Sequence, residues 1–270
     1  MATVSKGGPA ALLERLGRAT INAISEIGYA ASLLWEALYW LVLGHFRKQP
    51  VRVSHVFEQA MQIGVAALPI LTVLSATIGV MLALQGIHTL AIFGAEERVT
   101  TGIALSVSRE FAPLITGILV AGRSGSALAA RIGTMRITQE IDALRVIGIA
   151  PVRFLVTPPL LAMIVMVPAL TLWAILVALL GGGLLVSMEL DMTLAVYFER
   201  ILEDSSLDDL LHGLGKSLIF AVLIAVIGVV NGAAVTGGAE GVGRATTRSV
   251  VHAISAIVIT DMIFVFLWTL

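Results

Sequence analysis

Apolar residues come in long blocks along this chain, separated by short polar breaks. Blocks at 63–93, 99–122, 154–186, 217–231 and 249–270 carry very little charge. Several of them reach the roughly 20 residues that a helix needs to cross a hydrocarbon layer. They predict five transmembrane helices. The third is long, about 50 Å at 1.5 Å per residue, and holds Pro158, Pro159 and Pro168. It is expected to be tilted, kinked or extended beyond the bilayer.

Upstream, residues 19–46 read as a helix of mixed character, with Tyr29, Trp35, Tyr39 and Trp40 spread along it and Glu36 near its middle. Arg15 and Arg18 precede it, and Arg47, Lys48 and Arg52 follow it. Positive charge on both flanks puts both ends on the cytoplasmic side. The segment therefore reads as an amphipathic helix in the interface, with a sixth span as the alternative. Residues 1–62 form an N-terminal cytoplasmic or interfacial helical segment and 63–270 a transmembrane domain. The expected fold is an all-α integral membrane protein.

Composition sharpens this picture. Of 270 residues, 58% are hydrophobic and 13% charged, more apolar surface than a water-soluble domain of this size can bury. Cysteine is absent, which excludes disulfides, thiolate metal sites and a cysteine nucleophile. Residues 1–8 are polar and lead into no cleavage pattern, so a removable signal peptide is not expected. No basic tract with interleaved aromatics points to nucleic acid.

The net charge of -1 conceals an asymmetry. Between the second and third blocks lie Arg123, Arg131, Arg136, Arg145 and Arg153 against Glu140 and Asp142. Residues 187–213 carry Glu189, Asp191, Glu199, Glu203, Asp204, Asp208 and Asp209 against Arg200. The arginine-rich connection is therefore cytoplasmic. The turn at Glu96, Glu97 and Arg98 falls outside with the acidic segment, and five crossings carry the C-terminus outside while the N-terminus stays in the cytoplasm. No repeat of fixed period and no inverted pair of halves is visible.

The connection 121–153 is the most informative polar segment. Ala121, Gly125, Ala129 and Gly133 recur every four residues and on a continued helix form a face that lets another backbone approach closely. Small residues are also common in membrane helices without that purpose. Beyond Gly133 the spacing predicts a short amphipathic helix over about 134–148, with Ile137, Ile141, Leu144 and Ile147 on one face and Gln139, Glu140, Asp142 and Arg145 on the rest. Thr138 can cap it, and Gly148 and Pro151 stop it. Such a helix, with Arg136, Ile137, Glu140, Ile141, Leu144 and Arg145 as candidate contacts, suits docking into a groove on a soluble partner. Lying flat on the membrane is the other reading.

Ionisable groups inside apolar blocks are the candidate site: Arg109 and Glu110 midway along the second, and Asp261 in the fifth. Charges at that depth face a cavity or a partner. They fit a polar station on a substrate path, a lever that reports conformation, a proton relay, or a purely structural ion pair. Gly215-Lys216-Ser217 resembles the tail of a phosphate-binding loop, but position 210 is Leu where that motif needs glycine. Lys216 is read instead as an anchor at the outer interface that snorkels to water. The glycine-rich segment 231–249, with Arg244 and Arg248, reads as a flexible cytoplasmic loop or a second docking surface. No HExxH or GxSxG occurs, and the histidines are scattered, so no enzymatic or metal site is expected.

The run SREFAPLITGILVAGRSGSALAARIGTMRITQEIDALRVIGIAPVRFLVTP, residues 108–158, closely resembles the signature region of the MlaE/YrbE permeases, the membrane subunits of MCE-type ABC lipid transporters. GRATTRSVVHA, residues 243–253, resembles their second cytoplasmic motif, and Asp261 stands where similar sequences carry an acid. The resemblance runs from about residue 50 to the C-terminus. It implies a homodimer in the bacterial inner membrane, bound to cytoplasmic ABC ATPase subunits through the coupling helix between the second and third spans. It also implies a periplasmic MCE-domain (MlaD-like) protein, a small STAS-domain (MlaB-like) protein, and phospholipid in an apolar cavity near Arg109 and Glu110. No cofactor is then bound by this chain, because ATP and Mg belong to the partner ATPase. A proton-coupled secondary transporter using Glu110 and Asp261 is the competing class.

Overall fold

The computed structural model describes residues 9–43 and 52–269. The expectations that fall on 1–8 and 44–51, including the basic flank at Arg47 and Lys48, lie outside the described residues. Among those described, every regular element is a helix. Helix α1 is Pro9–Leu43; α2, Val53–Ile63, bends at Gly64 into α3, Leu68–Ala91. A single rod follows, made of α4 (Val99–Ser106), α5 (Ala112–Val120) and α6 (Ser126–Ile137). It is joined by wide π turns at Val107–Phe111 and Ala121–Gly125. Then come α7 (Glu140–Val146), α8 (Thr157–Glu189), α9 (Leu194–Asp204), α10 (Leu207–Ala233) and α11 (Gly238–Thr269).

Five stretches are long and apolar enough to cross a membrane: Val53–Ala91, Glu96–Ile137, Val152–Glu189, Leu207–Ala233 and Gly238–Leu267. They coincide with the five apolar blocks but overrun them, because a helix needs no apolar side chains where neighbours satisfy its surface. The second span runs on through Ile137, so much of the expected connection 121–153 is the end of a long rod. The fourth begins at Leu207 rather than 217, since Ser206 and Asp209 close a capping box there. The glycine-rich segment 231–249 is a correction: α10 runs to Ala233 and α11 starts at Gly238, which leaves only a tight turn. Gly237 and Gly238 both have positive φ in that turn, a conformation that glycine adopts without a Cβ penalty.

The expected short helix is shorter than 134–148. Gln139, with φ 60°, breaks it from the rod, and α7 spans Glu140–Val146. Thr138 caps the end of α6 rather than the start of α7, its Oγ1 lying 3.1 Å from the Thr134 carbonyl and 2.7 Å from Glu140 Oε1. Pro168 lies inside α8, which continues through it as one helix. Pro113 follows the first π turn; it has no N–H to offer the Arg109 carbonyl, which favours a wider turn at that point.

Small residues set the core. Helices α3 and α8 form the principal pair, and a Cβ at Gly79 would collide with the backbone of Ala178, while one at Gly181 would sit 2.7 Å from the Ala76 carbonyl oxygen. The rod meets α10 in the same way. Ala121, Gly125, Ala129 and Gly133 are buried, and Gly228 and Gly232 on α10 face the carbonyls of Gly125 and Ala129. At the acidic end Thr193 caps α9, which inserts Tyr197 fully buried against Gly183; burial pushes its phenol pKa up. Helix α1 runs beside the bundle, with Leu33 and Ala37 buried, an ion pair from Glu26 to Arg248, and Arg153 stacked over Trp40.

Candidate functional site

An ion held in an apolar bundle must find an opposite charge or water. In this bundle the solution is built by three spans meeting between the middle and the acidic end. The first π turn supplies Arg109 and Glu110, the first turns of α10 supply Asp209, His212 and Lys216, and α11 supplies Asp261. Residues 209, 212 and 216 share one face of α10 at helical spacing. Close approach is possible because Gly213, on the same stretch, leaves no room for a side chain against the Ser108 carbonyl.

Lys216 is the centre of the arrangement and is fully buried, at 0% exposure. Its Nζ donates to Glu110 Oε2 at 2.5 Å and stands 3.0 Å from Asp261 Oδ1. The second contact lacks hydrogen-bond alignment, so it acts through charge more than through direction. One cation thus bridges carboxylates from two other spans. The expectation that Lys216 snorkels to the outer interface is wrong: an ammonium two turns into α10 has carboxylates nearer than water, and pairing with them replaces hydration.

A second pair sits beside it. Arg109 Nε donates to Asp209 Oδ1 at 2.6 Å, with a further guanidinium contact to the same oxygen. The other oxygen of Asp209 accepts from the Ser206 N–H at 2.8 Å and from its hydroxyl at 2.9 Å. Asp209 therefore closes the capping box and holds Arg109 at once. His212 is buried and packs edge-on to Phe264, 5.9 Å between ring centres. Sequence neighbours Arg109 and Glu110 serve positions seven residues apart on α10, a divergence made by their place on the π turn.

Glu110 and Arg109 keep about a third of their side-chain surface open, whereas Asp261 is mostly enclosed. With two cations against three carboxylates, the site can present both signs of charge inside apolar walls. It contains no nucleophile paired with a base, and among the described residues no cluster of His, Asp and Glu has metal-ligand grouping. Its charges offer ion-pair and hydrogen-bond partners to a polar group.

Of the site residues expected from sequence, Arg109, Glu110 and Asp261 meet here; Arg109 reaches them only through α10. The sequence marks Lys216 only as an interface anchor, Asp209 only as part of the acidic segment and His212 only as one of the scattered histidines, although Ser206-x-x-Asp209 is a capping-box pattern that marks the start of α10. The docking candidates lie far away, at the arginine-rich end. Arg136 and Ile137 close α6, while Glu140, Ile141, Leu144 and Arg145 belong to α7. Ile141 is buried and Leu144 packs on the core, whereas Val146 and Ile147 are the exposed apolar residues of that turn. Arg136 and Arg145 both pair with Asp142, at 3.7 and 3.2 Å.

Known proteins resemble this chain over most of its length. Residues 56–267 match the family model described as permease MlaE. A probable ABC transporter permease protein of Rickettsia typhi is 32% identical over 254 residues, covering 92% of this chain and 96% of its own length. A probable ABC transporter permease protein of Synechocystis is 34% identical over 217 residues, 80% of this chain and 82% of its own. The intermembrane phospholipid transport system permease protein MlaE of Haemophilus influenzae is 32% identical over 255 residues, 93% of this chain and 95% of its own.

Proposed function

This chain belongs to the MlaE permease family, and we propose that it is the permease subunit of an ABC transporter that moves phospholipid, or a related hydrophobic lipid. In this reading the lipid passes between the bacterial inner membrane and a periplasmic MCE-domain protein, and a separate ATPase drives it. The observation that carries the reading is the Lys216 junction: an enclosed ammonium bridging Glu110 and Asp261 among helices of membrane-spanning length. An amphiphile crossing a bilayer protein needs apolar surface along its length and a few polar contacts for its headgroup, and this junction supplies polar contacts. Near full-length similarity to a phospholipid permease supports it.

The remaining parts of the assembly follow the same reading. Two copies of the chain pair; the exposed apolar face of α11, with Val251, Val258, Ile259 and Met262, supports a neighbour in lipid or protein. The ATPase, which carries ATP and Mg, engages α7 and the residues around it. The exposure of Val146 and Ile147 there supports a docking surface. The N-terminus lies in the cytoplasm and the C-terminus in the periplasm, as the arginine distribution implies. A small STAS-domain protein completes the cytoplasmic side.

Co-purification with its co-expressed neighbours tests this reading. An ATPase should elute with the wild-type chain and be lost in V146D, because that exposed position tolerates a charge without disturbing the fold, whereas Leu144 packs on the core. Proteoliposomes should transfer phospholipid only with ATP. Transfer that needs a proton gradient and no ATPase would instead favour the secondary transporter built on Glu110 and Asp261.

A further inference from the structure

A cleft between α2, the rod and α8 at the arginine-rich end belongs to none of the features above. Its volume is about 330 Å³, within the ~300–1,000 Å³ typical of small-ligand sites. Ile63 and Met163 are buried and form an apolar floor, while Arg123, Arg131, Gln59 and Gln62 line the more open walls. The two arginines stand eight residues apart on one face of the rod, about 12 Å along its axis.

Among the described residues neither has a carboxylate at ion-pair distance, which sets them apart. Elsewhere at this end Arg136 and Arg145 pair with Asp142, Arg244 with Glu240 and Arg248 with Glu26. Arg123 donates to the Gln62 carbonyl, at 3.3 Å. Glu58 lies near enough to Arg131 to act on it through space. Sequence position is the second argument. Arg123 follows directly on the apolar block 99–122, and a basic side chain at the end of such a block extends toward the leaflet's phosphates. Planar guanidinium groups match phosphate oxygens two at a time, and an apolar floor beneath them accepts the start of an acyl chain.

We infer that this cleft holds the phosphate-bearing headgroup of an anionic phospholipid from the leaflet on the arginine-rich side, with Arg123 and Arg131 on the phosphate and Gln59 and Gln62 on neighbouring hydroxyls. A zwitterionic headgroup would bring an ammonium toward two guanidinium groups, so the site favours lipids such as phosphatidylglycerol over phosphatidylcholine. The inference rests on the lipid-permease reading and deepens it, adding a headgroup station some 20 Å along the rod from Glu110.

The test uses the chain with its co-expressed subunits in nanodiscs of equal phosphatidylglycerol and phosphatidylcholine, released into detergent for native mass spectrometry. The wild type should retain phosphatidylglycerol preferentially by about tenfold or more, and R123Q/R131Q should bring the ratio near parity. R123K/R131K should keep most of the preference, which separates charge from folding. If the double glutamine variant does not elute as an intact complex, R131Q alone should lower the preference at least about threefold. An unchanged ratio in the glutamine variants, or no preference in the wild type, overturns the assignment. Release of the retained lipid by millimolar inorganic phosphate would reassign the cleft to a free anion and overturn it too. ATP-dependent lipid transfer, measured in parallel, separates the two readings: transfer without the preference sinks only this inference, and the preference without transfer sinks only the transport reading.

Discussion

Helix α10 meets the same neighbouring rod in two different ways. Its first turns, through Asp209 and Lys216, face the rod's Arg109 and Glu110 as charge against charge. Its later turns, at Gly228 and Gly232, lay backbone against the carbonyls of Gly125 and Ala129. The glycine contacts fix how close the helices come and have one solution, because any side chain there overlaps. The charged contacts fix which groups face each other, and their partners can exchange. Separation and identity are thus specified in different parts of one interface, which places the rearrangeable part beside the proposed lipid path.

The comparison breaks hardest at Lys216. K216M leaves Glu110 and Asp261 without their cation and should destabilise the protein by about 3–5 kcal/mol, read as a fall in thermal midpoint in detergent. K216M/E110Q/D261N should recover most of that loss while remaining inactive in lipid transfer; recovery of transfer would make the junction merely structural. Next comes the glycine end, where a Cβ at Gly232 would stand 2.8 Å from the Ala129 carbonyl. G232V should cost about 1–3 kcal/mol by overpacking, whereas G215A, with open space around it in the interior of α10, should not lower the midpoint. Smaller still is R109Q, about 1 kcal/mol at most, because its guanidinium is partly open to screening. S206A should cost about 1 kcal/mol through the cap, and a larger loss of transfer than of stability would show that the cap also positions Asp209.

Apolar block length was enough to read the five spans, and the four-residue recurrence of Ala121, Gly125, Ala129 and Gly133 marked the face that α10 occupies. The helix ends were less legible. Asp209 looks like a loop residue when hydropathy is averaged, because its burial depends on Arg109, a hundred residues away in the chain. Lys216 fell to the same cause: alone it reads as a surface anchor, and only Glu110 and Asp261, brought in by other spans, make an enclosed position tolerable. The segment 231–249 misled for the opposite reason, since glycine there serves a tight turn and the start of α11 more than flexibility, with Gly241 against the Thr236 carbonyl.

The π turn at Ala121–Gly125 also bears on length variation among related chains. A π turn holds one residue more than the α-turn it replaces. Loss of a single residue there, such as the exposed Gly122, would restore ordinary winding and leave the phase of both flanking segments intact. The same loss a few residues later, in Ser126–Ile137, would rotate everything that follows by about 100° and carry Gly133 away from Val235. Single-residue gaps between this chain and its relatives are therefore expected to collect at the wide turns.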